Sequence, residues 1–314
     1  MGLRVYGHWG MPLLAFPTSG GDEWEMEGQG MVAALEEFID GGRIKLFCVG
    51  SNGDQSFYDK SAHPLHRSWM QRQWDEYIRW EVIPFIHSHC NGLPAIATMG
   101  ASLGAYHAAN TLFKHPDAVR ACFAMSGLYD LRRFMDGHYD DNFYFNNPID
   151  YIGGMTDSWQ IGQISSARVH ISTGTGPFEH PSHSYDLSRA LSFKGISHHM
   201  DDWGPLGGHD WPYWEHQMRE YLKSICRSRL VGLDRLIGLA GLFPVDRVEV
   251  PGVALCASSV LSVSLWLAYV ISYATVVVGR IGVRRSSTSM ARPSDSARRR
   301  IWRYRWYRSG PRNM

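Results

Sequence analysis

Motifs of nucleotide-dependent and metal-dependent enzymes are absent from this chain of 314 residues. It contains no GxxxxGKS or GxxxxGKT phosphate loop, no HExxH zinc motif and no glycine fingerprint of a dinucleotide-binding turn. Its five cysteines are widely spaced and form no CxxC pair, which argues against a zinc site and a disulfide framework. We therefore predict neither metal nor cofactor, and we expect Cys48 and Cys122, which lie in apolar runs, to be buried unreactive thiols.

Lysine is absent from the last 91 residues, although arginine is abundant there. Residues 1–223 carry 16 Lys and Arg against 26 Asp and Glu, whereas residues 224–314 carry 15 Arg and 4 acidic residues. The acidic part lacks the basic footprint of a nucleic-acid-binding protein. The first residues have no apolar secretion signal. These features predict a cytoplasmic protein without a nucleic-acid partner; oligomeric state is not readable from the sequence.

The segment 227–314 is predicted to be an atypical tail that follows a catalytic domain at 1–226. It contains a mostly apolar run without charges, about 250–279, and then a basic stretch rich in Arg and Ser. Three interpretations are open: a membrane anchor, because the run is long enough to cross a bilayer; a peripheral or disordered appendage; or the product of a shifted reading frame. The absence of lysine from this segment favours a shifted reading frame. The anchor interpretation also conflicts with the topology that it implies. A basic flank stays in the cytoplasm, which would place the catalytic domain outside, yet the sequence predicts no leader that would export it.

Short apolar runs alternate with longer amphipathic ones through residues 1–223. The runs are typical of strands that are buried on both faces, as in a parallel sheet covered by helices. Such alternation predicts an α/β fold with right-handed crossovers. Residues 129–164 lack clear periodicity and are predicted to be a lid-like insertion over the sheet. The predicted strands are 11–18, 44–50, 94–100, 121–127, 167–173 and 197–203, and the predicted helices are 30–41, 67–90, 103–115, 181–195 and 211–225.

Ser102 lies between two glycines in the sequence GASLG, directly after a predicted strand and before a predicted helix. This context is typical of the sharp turn that exposes a nucleophilic serine, and glycines on both sides relieve the crowding in such a turn. The free N–H groups at the start of the helix also stabilise negative charge. A plain Ser/Gly turn is the alternative. We predict that Ser102 is a nucleophile.

A serine nucleophile needs a general base, and a histidine is the usual one. Among 15 histidines, His209 lies in a glycine-rich loop after the last predicted strand, the position that a Ser–acid–His order requires. The other candidates are His180, His183, His198 and His199. His107, one turn past Ser102, is expected to pack in the core.

The acid that orients this histidine should follow the predicted strand 167–173. Glu179 is the first carboxylate after that strand and is the preferred candidate. Asp186, Asp201 and Asp202 are the alternatives. The oxyanion hole is predicted to use the backbone N–H of Leu103 and that of Ser19 or Gly20, in the loop after the first predicted strand.

Four segments together, FPTSGG, GASLG, GTGPFE and GGHDWPYW, resemble the putative esterase family that includes esterase D and the antigen 85 mycolyltransferases, and especially its small bacterial members. The resemblance covers about residues 1–223 and is supported by HPLHRSWMQRQWDEY and GMVAALEEFID. It implies an α/β-hydrolase fold with Ser102 as nucleophile, Glu179 as acid, His209 as base and Leu103 in the oxyanion hole. The family pattern has an acidic residue where Pro177 stands.

These features predict a serine hydrolase that cleaves small-molecule carboxylic esters through an acyl-enzyme on Ser102. Acyl transfer to an alcohol or sugar is one alternative, because of the antigen 85 resemblance. A non-catalytic hydrolase-fold module that binds a ligand is the other. Membrane association is expected only if the segment 250–279 is a true anchor.

Overall fold

A seven-stranded sheet forms the centre of the fold in the computed structural model, which describes residues 1–240 and the side chains of residues 1–225. The strand order is β1-β3-β2-β4-β5-β6-β7, and every neighbouring pair is parallel except the edge pair β1 and β3. The strands are β1 (Leu3–Tyr6), β2 (Met11–Phe16), β3 (Ile44–Val49), β4 (Ile96–Ala101), β5 (Val119–Met125), β6 (Arg168–Thr173) and β7 (His199–Asp202). The α/β architecture predicted from the alternating pattern is confirmed.

Helices cover both faces of this sheet. Successive residues of a strand point to opposite faces, and alternate residues of β2 accordingly belong to different core clusters: Leu14 and Phe16 to one, Leu13 and Ala15 to the other. This two-sided burial explains why the central strands read as continuous apolar runs. The helices are α1 (Glu25–Gly28), α2 (Met31–Ala34), α3 (Glu36–Asp40), α4 (Pro64–Tyr77), α5 (Ile83–His89), α6 (Leu103–Lys114), α7 (Asp141–Tyr144), α8 (Pro148–Gly154), α9 (Ser158–Ser166), α10 (Pro181–Phe193) and α11 (Trp211–Ala240).

The helix predicted over 67–90 is interrupted by a π-helical turn at Ile78–Val82, between α4 and α5. Pro84 follows in the first turn of α5 and has no N–H to donate to the carbonyl four residues earlier, which favours a wider turn there. Trp74, Ile78 and Val82 are buried as the predicted face requires, whereas Phe85 is 37% exposed.

The predicted insertion, 129–164, contains a 3₁₀ turn at Arg132–Phe134, the short helices α7 and α8, and most of α9, which ends at Ser166. Arg67 of α4 fixes its beginning, because the nearly buried guanidinium donates to the Phe134 carbonyl at 2.7 Å and to Asp136 at 2.9 Å. These are contacts between distant residues, so they leave no local periodicity in the sequence.

Helix α11 continues to Ala240, beyond the domain boundary predicted at 226. The apolar run 250–279 and the basic stretch after it lie outside the described residues, so the boundary and the three interpretations of the tail stay predictions. Within residues 1–240, no helix is both long enough and apolar enough to cross a membrane.

Candidate active site

Four loops that carry predicted site residues meet at one edge of the sheet. Ser19 and Gly20 follow β2, Ser102 follows β4, Glu179 follows β6 and His209 follows β7. Because these strands are parallel, their carboxyl ends lie at the same edge, which is where α/β proteins bind ligands.

Ser102 occupies a strained turn between β4 and α6. Its φ of 56° and ψ of −119° lie outside the regions that a non-glycine residue ordinarily adopts. Its N–H donates to the carbonyl of Met125 at 3.0 Å, which fixes the turn to the neighbouring strand β5. A nucleophile elbow requires a strained strand–turn–helix geometry of this kind.

The two glycines that flank the elbow are required by close backbone contacts. A Cβ on Gly100 would lie 2.3 Å from the carbonyl group of Gly104. A Cβ on Gly104 would lie 2.3 Å from the carbonyl oxygen of Phe16 and 2.6 Å from that of Pro17. The start of α6 therefore contacts the loop after β2 directly, with no side chain between them.

Backbone donors are available on both sides of that contact. Leu103 is the first residue of α6, so its N–H has no acceptor within the helix. Ser19 and Gly20 are exposed, and their N–H groups donate to no acceptor among the described residues. The adjacent N–H of Thr18 is occupied, because it donates to the carboxylate of Glu25 at 2.7 Å.

Glu179 presents its carboxylate to His209. The Glu179 side chain is only 2% exposed, and its Oε1 accepts a hydrogen bond from Thr173 Oγ1 at 2.7 Å. Its Oε2 is buried, has no hydrogen bond with any described residue, and lies 3.6 Å from His209 Nδ1. A buried carboxylate oxygen is costly to leave unpaired, and the imidazole is the polar group that faces it.

Glycines also bring the loops of Glu179 and His209 together. A Cβ on Gly174 would lie 2.2 Å from the carbonyl oxygen of Gly207, and the Gly176 N–H donates to that oxygen at 2.9 Å. The N–H of His209 donates to the carbonyl of Pro177, also at 2.9 Å. Pro177, which replaces the acidic residue of the family pattern, therefore contributes a backbone contact to the histidine loop.

The imidazole of His209 is 30% exposed and packs edge-on against Trp214, with ring centroids 5.1 Å apart. Trp214 donates from Nε1 to Ser126 Oγ at 2.9 Å. Ser126 directly follows Met125, whose carbonyl accepts from the Ser102 N–H. The Ser102 hydroxyl itself makes no hydrogen bond with His209 or with any other described residue. Catalytic hydrogen bonds are often long in ligand-free enzymes and shorten when substrate binds.

The alternative acids have other partners. The Asp186 carboxylate pairs with Arg189 on the same helix. Asp201 accepts from Tyr221 at 3.1 Å and lies 2.9 Å from His170 Nδ1. Asp202 accepts from Tyr185 and from the N–H of Gly204. Among the described side chains, Glu179 is the carboxylate that faces His209.

The alternative histidines are also engaged elsewhere. His198 lies 2.8 Å from Ser188 Oγ, His199 stacks on His170, and His180 and His183 contact each other. His107 is buried, as expected for a packing residue, and its Nδ1 accepts from Trp74 Nε1 at 3.1 Å. Burial lowers the pKa of His107 to about 3, so this imidazole is neutral at physiological pH.

Three residues of the site were not predicted from the sequence: Thr173, Trp214 and Glu25. Thr173 ends the predicted strand before Glu179 and was a detectable candidate for that reason. Trp214 and Glu25 make contacts that no sequence spacing indicates.

In the described part of the chain, the side chains that could bind a metal are not grouped, and two clefts lie apart from this edge. The described side chains contain no group of three or more His, Cys, Asp or Glu that could hold a metal ion. Two open clefts of about 320 and 400 Å³ lie against the insertion and the start of α4, and Ser102, Glu179 and His209 line neither of them.

Solved structures share this fold at low sequence identity. A ferulic acid esterase is 17% identical with a TM-score of 0.54, and the match covers 72% of this chain and 91% of that one. Mycobacterium tuberculosis MPT51 (FbpC1) is 15% identical with a TM-score of 0.53, over 71% and 91% of the two chains. An S-formylglutathione hydrolase from Agrobacterium tumefaciens is 13% identical with a TM-score of 0.51, over 70% and 87%. The predicted α/β-hydrolase fold is confirmed by these likenesses.

Sequence comparison identifies the family. No curated protein matches the chain. The family model described as "Putative esterase" matches residues 18–225, which is most of the part that the structure describes and includes every loop of the site. The chain therefore belongs to the Putative esterase family.

Proposed function

We propose that this esterase-family protein is a serine carboxylesterase with Ser102 as its nucleophile, His209 as its general base and Glu179 as the orienting acid. One observation carries the proposal: the unpaired oxygen of the buried Glu179 carboxylate faces His209 Nδ1, at the sheet edge where Ser102 occupies its strained turn. The chain order Ser–Glu–His is the one found in α/β-hydrolases. A carboxylate beside Nδ1 is also where the acid of such a triad orients the base.

In the first half-reaction, Ser102 Oγ attacks the ester carbonyl carbon while His209 Nε2 accepts the hydroxyl proton. Glu179 holds the proton on Nδ1 and stabilises the imidazolium that forms. The carbonyl π electrons move to the oxygen, which accepts hydrogen bonds from the N–H of Leu103 and from Ser19 or Gly20. The tetrahedral intermediate then expels the alkoxide, and His209 returns the proton to it as the alcohol leaves.

In the second half-reaction, water replaces the alcohol. His209 removes a proton from the water as its oxygen attacks the acyl carbon. The intermediate then breaks its bond to Ser102 Oγ, which takes that proton back from His209, and the carboxylic acid leaves. The 30% exposure of His209 supports water as the acceptor, since solvent reaches this imidazole. Acyl transfer to an added alcohol would appear as ester product in a competition assay.

A panel of p-nitrophenyl esters of increasing acyl length tests the proposal on the full chain. We expect Ser102→Ala to lose at least about 10⁴-fold in kcat, since removal of a triad nucleophile elsewhere costs about 10⁶-fold. Ser182→Ala, at an exposed serine on α10, is the matched control and should keep wild-type kcat. Turnover by the Ser102 variant at the control rate would contradict the proposal.

A further inference from the structure

One carboxylate, that of Glu25, binds the start of the loop that carries Ser19 and Gly20. Thr18 donates its backbone N–H to Glu25 Oε2 at 2.7 Å and its hydroxyl to Glu25 Oε1 at 2.6 Å. Both oxygens of one carboxylate are thus bound to the residue immediately before the two backbone donors proposed for the oxyanion hole.

The packing around this carboxylate leaves little freedom. A Cβ on Gly21 would lie 2.5 Å from Glu25 Cδ, so the loop backbone rests directly against the carboxyl group. The Gly21 carbonyl accepts from the Ser51 N–H at 2.8 Å, which joins the loop to the segment after β3. On the other side, Gly104 contacts the carbonyl oxygens of Phe16 and Pro17. The loop is therefore held between Glu25 and the start of α6.

We call the two hydrogen bonds from Thr18 to Glu25 the Glu25 clamp. The clamp occupies the first of the three successive N–H groups of Thr18, Ser19 and Gly20 and leaves the other two without an acceptor in the described part of the chain. The Thr18 N–H points to the carboxylate, so it is not available to a substrate oxygen. The N–H groups of Ser19 and Gly20 have no acceptor among the described residues, and Gly20 adopts a φ of 74° that favours glycine. Burial raises the pKa of Glu25, and the nearby Asp22 contributes in the same direction, so this carboxylate occupies an unfavourable place that its two hydrogen bonds partly offset.

We propose that Glu25 is a positioning residue for ester hydrolysis: its carboxylate fixes Thr18 so that the N–H groups of Ser19 and Gly20 face the developing oxyanion. The inference rests on the proposed function, because it concerns the N–H groups that would bind the oxyanion in the proposed ester hydrolysis. Preorganised donors act on the transition state and not on the bound ester. Loss of the clamp should therefore lower kcat and leave KM nearly unchanged.

Two variants at this position separate geometry from charge. Glu25→Ala removes both acceptors, and we expect kcat to fall about 10- to 100-fold, less than the 10²–10³-fold effect of deleting an oxyanion donor. Glu25→Gln should restore kcat to within about threefold of wild type. Its amide oxygen accepts the Thr18 N–H, and its amide nitrogen donates to the Thr18 hydroxyl oxygen.

Glu27 supplies the matched control on the same short helix. It is exposed, and it binds the Tyr6 hydroxyl at 3.0 Å and Arg4 at 3.3 Å, away from the loop. Glu27→Ala should keep wild-type kcat and KM. Affinity for a trifluoromethyl ketone, which forms a tetrahedral adduct, should fall in Glu25→Ala in parallel with kcat and stay unchanged in Glu27→Ala.

Thr18→Val is the second test, and it covers the case in which Glu25→Ala does not fold. It removes the hydroxyl donor, keeps the N–H donor and should lower kcat by an intermediate factor at unchanged KM. If the folded Glu25 or Thr18 variants keep wild-type kcat while Ser102→Ala is inactive, this inference is wrong and the proposed function stands. If Ser102→Ala stays active, the proposed function fails first, so the two failures are distinguishable.

Discussion

Replacing Gly104 by Ala tests the contact between the proposed nucleophile elbow at Ser102 and the loop after β2. Gly104 is the second residue of α6, and the new methyl group would lie 2.3 Å from the Phe16 carbonyl oxygen and 2.6 Å from that of Pro17. Both contacts are far shorter than a normal separation of carbon and oxygen. Both involve backbone atoms, so no side-chain rotation relieves them, and the loop and the helix must separate by about 1 Å.

Two effects of opposite sign decide the outcome. Helix propensity alone predicts that alanine in place of glycine stabilises the protein by about 0.5–1 kcal/mol. Forcing an extra methyl group into a closely packed contact costs about 1–3 kcal/mol, and more when only backbone can move. The steric cost should exceed the gain in helix propensity, so we expect a net loss of about 1–2 kcal/mol in the free energy of unfolding. A displacement of about 1 Å at the proposed oxyanion donors should also reduce kcat/KM by about 10²-fold.

Urea unfolding at 25 °C and ester hydrolysis measure the two quantities on the same variant. Gly162→Ala is the control, because Gly162 lies within α9 and a Cβ there has no atom within 4 Å. That variant should be more stable by about 0.5–1 kcal/mol with unchanged kcat/KM. A Gly104→Ala protein that matches the control in stability and activity would refute the contact between elbow and loop.

Two further predictions concern the acid and the buried histidine. Glu179→Gln should reduce kcat/KM by about 10³–10⁴-fold, because the amide favours the wrong tautomer of His209. The control variant Asp186→Asn should keep the wild-type kcat/KM. Equal losses in the two variants would remove the support for Glu179. His107 has its pKa lowered to about 3 by burial, so the unfolded chain binds a proton below about pH 6.5 that the folded protein does not. Stability should therefore fall as pH decreases from about 6.5 towards 3, by at most about 1.4 kcal/mol per pH unit from this group. His107→Gln, which keeps an acceptor for Trp74, should show a shallower dependence in urea unfolding between pH 4 and 8; an unchanged slope would contradict a neutral buried imidazole.

The central strands and the loops of the site were predictable because burial on both faces leaves a strong local signal. Strands β2 to β6 appear as short apolar runs that end in glycine or small polar residues. Ser102 and Leu103 follow from the turn chemistry at the end of β4. Glu179 follows from being the first carboxylate after β6.

Other features depend on contacts that local sequence does not encode. Strand β1 has four residues, all half-buried at an antiparallel edge, so it lacks the apolar run that identified its neighbours. The helices of the insertion are held by tertiary contacts such as that of Arg67 with Phe134. Trp214 binds Ser126 across 88 positions of sequence. The clamp of Glu25 on Thr18 spans only seven positions, yet its spacing matches no motif.

The most direct measurement is covalent labelling of the full chain by a fluorophosphonate, followed by intact mass and peptide mapping. We predict one adduct per chain, located on Ser102, absent from Ser102→Ala and formed much more slowly in His209→Ala. An adduct on another serine, or labelling of Ser102→Ala at the wild-type rate, would contradict the central claim.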